Sequence, residues 1–432
     1  MDTAVSSLPS EEQGKDPQPK ICLVSSAKED AEKMSSVTLT SPTKAVAPTP
    51  SSGDAENKKL TGFLRGLGLD PEWYAKETEA SKSLSRFIRI NPCQSSVENI
   101  LKSKVFASAK VVKGCEDFIS CNGDIRLKGV PEYEDGSIYG MDLASGLAVH
   151  VLDVKPGSSV LDLCAAPGAK MCMLADVMKR QGLLIGVDAS AHRVRTCASL
   201  LKKYRVAEKQ PGWQCILVED DGVTFSGPKA ESVIWDTEAD EIISRDTKAG
   251  SKRKRFNKSA RQILARRRLE TGLYTKSSTE RRFDRVLVDA ECTHDGSIKH
   301  MLKYSEGGVF GESALEDKFI DADLVKGNSG ATSLQELQQG LLLNGFRLLA
   351  PGGILVYSTC SFSEAQNENI VKWLLDHPDY KDQVILHEGL ESSPLFANAP
   401  PIPSQSLPGT LRFTPTKSRT SGLFIAKLSK RT

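Results

Sequence analysis

Residues 158–170, Ser-Ser-Val-Leu-Asp-Leu-Cys-Ala-Ala-Pro-Gly-Ala-Lys, constrain the fold more than any other stretch of the chain. Val160, Leu161 and Leu163 read as a buried parallel strand, Pro167 and Gly168 break it, and a helical pattern follows from Met171 to Met178. A strand that passes through a small-residue loop into a helix belongs in an open α/β sheet, where ligands bind beyond the carboxyl ends of the strands. Ala165, Ala166, Gly168 and Ala169 are small enough for backbone N–H groups to come close to such a ligand, so a nucleotide-type cofactor site is expected here. The competing reading is an ordinary strand-to-helix turn. No Gly-x-x-x-x-Gly-Lys-Ser/Thr and no Gly-x-Gly-x-x-Gly is present, which removes a P-loop and leaves a dinucleotide fold unsupported. A second apolar run, Leu183–Val187, ends in Asp188; an acid roughly 20 residues beyond the first loop suits a ribose diol.

The same rhythm continues. Ala189–Tyr204 reads as a basic amphipathic helix carrying Arg193, Arg195, Lys202 and Lys203, and Cys215–Val218 as a third strand ending in Glu219, Asp220 and Asp221. A carboxylate there could hold the exocyclic amine of an adenine, or simply cap a turn. Phe283–Asp289 is a fourth strand, Leu334–Leu349 a helix, Ala350–Gly353 a turn and Ile354–Cys360 a fifth strand. Strand alternating with helix predicts an α/β, doubly wound, mostly parallel sheet with Asp289, Cys292 and Cys360 near the first loop.

At 432 residues the chain has room for two or three domains. Residues 1–57, rich in Ser, Thr, Pro, Lys and Glu, are expected to form a disordered tail, with a transit peptide disfavoured by Asp2, Glu11, Glu12 and Asp16. Residues 58–138 read as a small α+β accessory domain, an RNA-binding one by the resemblance drawn below, in which Arg86 and Arg89 on a strand are either RNA-phosphate contacts or plain solvated charges. Residues 139–432 read as the catalytic domain, interrupted by a basic insertion over 226–282. Net charge is only +2, so affinity for nucleic acid has to come from local basic surface. Between Ser251 and Leu269 run Lys252, Arg253, Lys254, Arg255, Lys258, Arg261, Arg266, Arg267 and Arg268 without an acid, the pattern of a nuclear import signal or a solvated charged loop. A nuclear or nucleolar protein that meets an import receptor through 252–268 is expected, with a cytoplasmic one as the alternative. The ten cysteines contain no Cys-x-x-Cys, and there is no secretory signal or long apolar run; free thiols in a reducing compartment, no metal and no membrane are expected. A monomer suffices.

Two cysteines and an aspartate at strand ends suggest one particular chemistry. Carbon 5 of cytosine is a poor nucleophile until a thiolate adds at carbon 6, after which it can attack a sulfonium methyl, and a second group must remove the carbon 5 proton. Asp289 could hold the base edge, and Lys170 could favour the thiolate. The competing reading of each cysteine is a small buried hydrophobe. His294 and His300 match no strong ligand spacing and read as satisfied loop histidines.

With these residues in hand, the chain resembles the Sun-domain RNA cytosine-5 methyltransferases, the family typified by RsmB. The resemblance rests on Arg89–Asn91, Met141–Ser145, Asp162–Lys170, Asp289–Cys292, Leu337–Gln338 with Pro351–Gly353, Tyr357–Ser361, Asn367–Glu368 and Gly422–Ala426. It implies a seven-stranded Rossmann-like sheet that uses S-adenosylmethionine to form 5-methylcytosine in rRNA or tRNA. Carried over by position, Cys164, Ala165, Ala166, Pro167, Gly168, Ala169 and Lys170 form the cofactor loop, with Asp188 and Arg193 at the ribose and Asp221 at the adenine. Cys360 is then the nucleophile, Cys292 assists release, and Asp289 serves both base and cofactor. The family's usual Pro is replaced by Glu291 and its Ser-Gly by Thr293-His294, which makes Glu291 or His294 alternative bases. A catalytically weak RNA-binding assembly factor is the second reading. A DNA cytosine methyltransferase fits less well, because its nucleophile resembles a Pro-Cys after the fourth strand.

Overall fold

Strand direction and helix placement decide where this molecule can bind anything. A computed structural model describes residues 60–208, 210–229, 232–237, 281–299, 301 and 333–432. The expected tail at 1–57, the basic block at 252–268, His300 and most of the expected insertion lie outside these residues.

The main sheet has ten strands. Five lie side by side and parallel: β5 (Ser159–Asp162), β6 (Gly182–Asp188), β7 (Trp213–Glu219), β9 (Phe283–Asp289) and β10 (Leu349–Thr359), in the order β7-β6-β5-β9-β10. Beyond β10 comes β14 (Leu423–Lys430), antiparallel, and then β13 (Leu411–Phe413), antiparallel to β14 and so running with β10. These are the seven strands of a Rossmann-like methyltransferase sheet. The three additions are short: β8 (Val233–Asp236) on the outer side of β7, and β11 (Val384–Leu386) and β12 (Ile402–Pro403) at the other end. β8 pairs with β7 and buries Trp235, so the described residues at the start of the expected 226–282 insertion add a short strand to the edge of the sheet.

Helices cover both faces. One core cluster joins α2 (Leu143–Val151), α3 (Ala169–Val177) and α4 (Ala191–Lys203) to one face through Leu147, Met171, Leu174 and Leu201. The other joins α5 (Leu334–Leu348) and α6 (Glu368–Leu375) to the opposite face through Leu342, Phe346, Ile370 and Leu374. Ser333 starts α5 with a reciprocal cap, its hydroxyl accepting from the Glu336 amide while the Glu336 carboxylate accepts from the Ser333 amide. No described helix is long and apolar enough to cross a membrane.

Ahead of this sheet lies a four-stranded antiparallel one, ordered β2-β3-β1-β4, from β1 (Arg86–Ile90), β2 (Lys110–Val112), β3 (Cys115–Cys121) and β4 (Ile138–Gly140). Side chains alternate along β1: Ile88 and Ile90 fill a local core with Ile100 and Phe106, while Phe87 faces the main core. Arg89 shares that second face and is 1% exposed. Its Nε meets Asp117 at 2.9 Å, one terminal nitrogen meets Asp176 of α3 at 2.6 Å, and Tyr139 accepts another of its hydrogen bonds. Neither expected reading of Arg89, an RNA-phosphate contact or a plain solvated charge, holds for a side chain this buried. A fixed charge at a β1 position that points inward is paired with two carboxylates instead. Arg86 is also engaged, donating to the Ile125 carbonyl at 2.9 Å.

A further helix, α1 (Pro71–Lys82), docks on the loop that follows β9. The Tyr74 hydroxyl donates to the Asp295 carbonyl at 2.8 Å, and Trp73 stands edge-on to Phe362 with ring centroids 5.1 Å apart.

Candidate active site

At the carboxyl end of β5, Asp162 turns inward and is buried, accepting the Cys164 amide at 3.1 Å. Burial, the largest influence, and the neighbouring Asp289 carboxylate push its carboxyl up to about 7. The loop that follows is more committed to the fold than its small residues suggest. The Ala165 amide donates to the Val187 carbonyl at 2.9 Å, and Pro167 has no N–H. Of the seven residues expected to cradle a cofactor, Cys164 and Ala165 thus spend their amides on the protein. Ala169 and Lys170 lie in the first turn of α3, where backbone N–H groups have no intrahelical acceptor. Gly168 caps that helix with φ 111°, and a β-carbon there would stand 2.7 Å from the Cys197 sulfur.

Asp188 ends β6 at 6% exposure, with its Oδ1 accepting from the Ser190 amide at 3.0 Å and its Oδ2 3.4 Å from Arg193. Arg193 also donates to the Ala166 carbonyl at 3.3 Å, tying α4 to the loop. The Asp220 amide donates to the Asp188 carbonyl at 3.3 Å, so the ends of β6 and β7 adjoin. Asp221 is exposed and its oxygens cap the local turn, accepting from the Val223 amide at 2.9 Å and the Thr224 hydroxyl at 3.4 Å.

A cluster forms at the ends of β9 and β10. Asp289 Oδ2 takes the Lys170 ammonium at 2.7 Å, and its Oδ1 takes the Ser358 hydroxyl at 2.7 Å. Burial works against the charge on Lys170, but Asp289 more than offsets it and the ammonium is held above its usual range. Two residues beyond Ser358, the Cys360 sulfur lies 3.3 Å from that of Cys292 and 3.0 Å from His294 Nδ1. His294 Nε2 is 3.2 Å from Glu291 Oε1, and Glu291 Oε2 is 3.0 Å from Arg193.

The loop after β9 is held rigidly. Asp295 accepts from the Thr293 hydroxyl and from the Phe362 amide, the latter at 2.6 Å; Gln366 bonds both the amide and the hydroxyl of Thr293; Gln338 of α5 donates to the Glu291 carbonyl at 2.7 Å. Gly296 donates to the Cys360 carbonyl at 2.8 Å, and a β-carbon at that position would be 2.5 Å from the same oxygen.

The charges follow from this geometry. Hydrogen bonding from Cys292 first, and from His294 next, holds the Cys360 thiol well below its usual range despite burial, while Cys292 is pushed well above it. Burial disfavours a charged His294, yet its bonds to Cys360 and Glu291 raise it to about 10. The His294 bond and the Arg193 charge lower Glu291 to about 2, against a smaller opposing effect of burial. The site therefore contains a thiolate at Cys360 flanked by a thiol and an imidazolium. The donor atoms of Cys292, His294 and Cys360 lie within 4.8 Å of one another, close enough to share a soft metal ion.

The structure thus brings Lys170, Asp289, Cys292 and Cys360 together, with Asp188 and Arg193 alongside through Glu291. The sequence did not single out Ser358, which orients Asp289, and it marked His294 as a satisfied loop histidine or an alternative base without placing it against Cys360. Glu291 three positions earlier was the available signal, since the two side chains meet only if the loop curls back.

Fold and site define a Rossmann-like methyltransferase. The family model for 16S rRNA methyltransferase RsmB/F matches residues 149–236 and 314–429, which bears out the resemblance to that family over those two segments. It is similar to the tRNA (cytosine(49)-C(5))-methyltransferase of Pyrococcus abyssi, with 26% identity over 87% of this chain and 96% of the archaeal one. It also resembles the 5-cytosine rRNA methyltransferase NSUN4 of Xenopus tropicalis, with 30% identity over 54% of this chain but only 41% of the frog protein. Among solved structures, PH0851 superposes with a TM-score of 0.57 at 24% identity over 89% of this chain and 70% of that one. NSun6 from Pyrococcus horikoshii with SFG gives 0.54 at 17% identity over 89% and 98%.

Proposed function

We propose that this protein transfers a methyl group from S-adenosylmethionine to carbon 5 of a cytosine in rRNA or tRNA, through a temporary thioether between Cys360 and carbon 6. The observation that carries the proposal is the Cys360–Cys292 sulfur pair, 3.3 Å apart, at the end of the strand beside the one that ends in the Lys170–Asp289 pair.

The pocket residues suit the cofactor. Asp188 is an acceptor of the right kind for a ribose diol, and the carboxyls of Asp162 and Asp289 face the Lys170 end of the loop, where a cation is favoured. Arg193 would steady Asp188, and the first-turn amides of Ala169 and Lys170, with Gly168 and the Ala166 surface, would line the loop side. Asp221 is assigned to the exocyclic amine of the adenine, since a carboxylate oxygen that accepts one bond retains a second lone pair. When bound, the cofactor supplies an electrophilic methyl on a sulfonium.

The chain's own groups do the rest. The Cys360 thiolate adds to carbon 6, and the electron pair displaced toward the ring is compensated by the Lys170 ammonium while Asp289, fixed by Ser358, orients the base edge. Carbon 5 then takes the methyl, and the pair of the broken S–C bond would stay on the former sulfonium sulfur as a neutral thioether. Cys292, once its own proton has passed to solvent, would take the carbon 5 proton; the pair of that C–H bond re-forms the 5,6 double bond and the C6–S bond breaks, expelling Cys360 as thiolate. Residues 58–138 are proposed to contact the RNA, and 252–268 to direct nuclear import. Import can be checked by deleting 251–268 from a fluorescent fusion and looking for loss of nuclear signal.

To test the chemistry, purified C360A and C292A are incubated with total RNA and labelled S-adenosylmethionine. C360A should incorporate no methyl, and C292A should accumulate a protein–RNA adduct that survives denaturant. Full turnover by C360A would refute the scheme. An RNA-binding assembly factor with no enzymatic role would show no S-adenosylmethionine binding by calorimetry.

A further inference from the structure

The Glu-Cys-Thr-His run at 291–294 folds so that three side chains stand in line: Glu291 Oε1 3.2 Å from His294 Nε2, and His294 Nδ1 3.0 Å from Cys360 Sγ. We propose that Glu291, His294 and Cys360 form a thiol–imidazole–carboxylate relay, in which His294 is the base that generates the attacking thiolate and Glu291 is the residue that orients it. The inference deepens the function proposed above and rests on it for the identity of the nucleophile.

Three features of the geometry carry it. First, the contacts use opposite ring nitrogens, so Nε2–H donating to Glu291 leaves the Nδ1 lone pair directed at the thiol. Second, Glu291 is itself fixed, by Arg193 at 3.0 Å on its other oxygen and by Gln338 at 2.7 Å on its backbone carbonyl. Third, the loop cannot swing the imidazole away without breaking the Gly296–Cys360 backbone bond and the Asp295 bond to the Phe362 amide. An arrangement of nucleophile, base and orienting acid is how weak nucleophiles are activated on unrelated folds.

The proton balance is simple. The S–H bond of Cys360 breaks, its proton becomes N–H on Nδ1, and the electron pair stays on sulfur, giving a thiolate beside an imidazolium whose positive charge is answered by Glu291. When carbon 6 later releases Cys360, the thiolate returns to the same imidazolium, so no proton is needed from elsewhere. His294 therefore stays protonated during methyl transfer, and the carbon 5 proton has to leave by another group. The titratable and charged groups facing this triad are Cys292 and Asp295 on the same loop, Lys170 from α3, Arg193 from α4 and Tyr74 from α1. Lys170 is paired with Asp289 and Arg193 with Asp188 and Glu291, which leaves the imidazole as the group that both touches Cys360 and can accept its proton.

The deciding measurement is the pH dependence of Cys360 alkylation by iodoacetamide, followed by peptide mass spectrometry in the full-length protein without RNA. In wild type, alkylation should remain fast down to about pH 6, as for a thiolate stabilised by an adjacent cation. H294A should move the midpoint upward by about 2 pH units and slow alkylation at pH 6 by about 100-fold, since each unit is tenfold in thiolate. E291Q, which keeps the side-chain shape, should give a smaller shift in the same direction. Folding of each variant is checked by its unfolding midpoint, and E291Q serves if H294A does not fold. An unchanged alkylation profile in folded H294A, or in E291Q when it has to stand in, would overturn the relay. The readout is independent of methyl transfer. If C360A retains turnover while the alkylation midpoint shifts as expected, it is the methyltransferase scheme that fails and the relay that stands.

Discussion

Asp289 illustrates how much at the residue scale depends on which neighbour fills which lone pair. One oxygen takes Lys170 and the other takes Ser358, so the carboxylate is held in a single orientation. Replacing it by Asn should lower kcat for methyl transfer by about 100-fold or more, the usual cost of removing one fixed electrostatic partner of a reacting group. S358A, which frees one oxygen only, should cost less. The loop residues predict a pH effect on stability. Folded His294 titrates at about 10, above its ordinary 6.5, so its contribution is fully present below that ordinary value and disappears as pH rises through about 10. Folded Glu291 titrates at about 2, below its ordinary 4.5, so its contribution is present above that value and is lost as pH falls through about 2. The gap in Tm between wild type and H294Q should accordingly be widest from about pH 5 to about pH 6.5 and close above about pH 10. A gap that stays constant over that range would show that His294 is not charged in the folded protein. The aspartate and both cysteines were legible at this scale because strand ends fix them. The imidazole was not, since a loop's course depends on tertiary bonds such as that from Gly296 to Cys360.

At the scale of the element, the parallel strands β5, β6, β7, β9 and β10 were legible because each is an apolar run bounded by polar or turn residues. Strands β8, β11, β12 and β13 were not. Each has only two to four residues, too few for an alternating pattern to stand out, and each forms only because a neighbouring strand presents an edge. Helix α5 carries Gln338 to the Glu291 carbonyl and depends on its reciprocal cap. S333A should lower stability by about 1 kcal/mol, read as a drop in the midpoint of chemical unfolding. The junction of the β9 loop with β10 is less forgiving. G296A puts a β-carbon 2.5 Å from the Cys360 carbonyl oxygen and should cost about 1–3 kcal/mol while displacing the nucleophile, so methyl transfer should fall in protein that is still folded at the assay temperature.

For the molecule as a whole, the small sheet and the large one are joined through buried charge. Arg89 on β1 reaches Asp176 on α3 at 2.6 Å, and its removal would leave that buried carboxylate with only the longer pair to Arg180, 3.8 Å away. R89M should therefore destabilise by about 3–5 kcal/mol. If Arg89 instead served RNA, R89M would weaken RNA binding and leave Tm unchanged. The double variant R89M/D176L, which removes both charges, should recover much of the loss. The sequence by itself determined the strand–helix alternation and the small-residue loop after β5, because these are written as local apolar periodicity and short-range spacing. Only the tertiary structure decided that Arg89 faces inward, that two amides of the loop are spent on the protein, and that His294 stands between Glu291 and Cys360. Each of those depends on which distant segment supplies the partner for a polar group, and no local pattern encodes that choice.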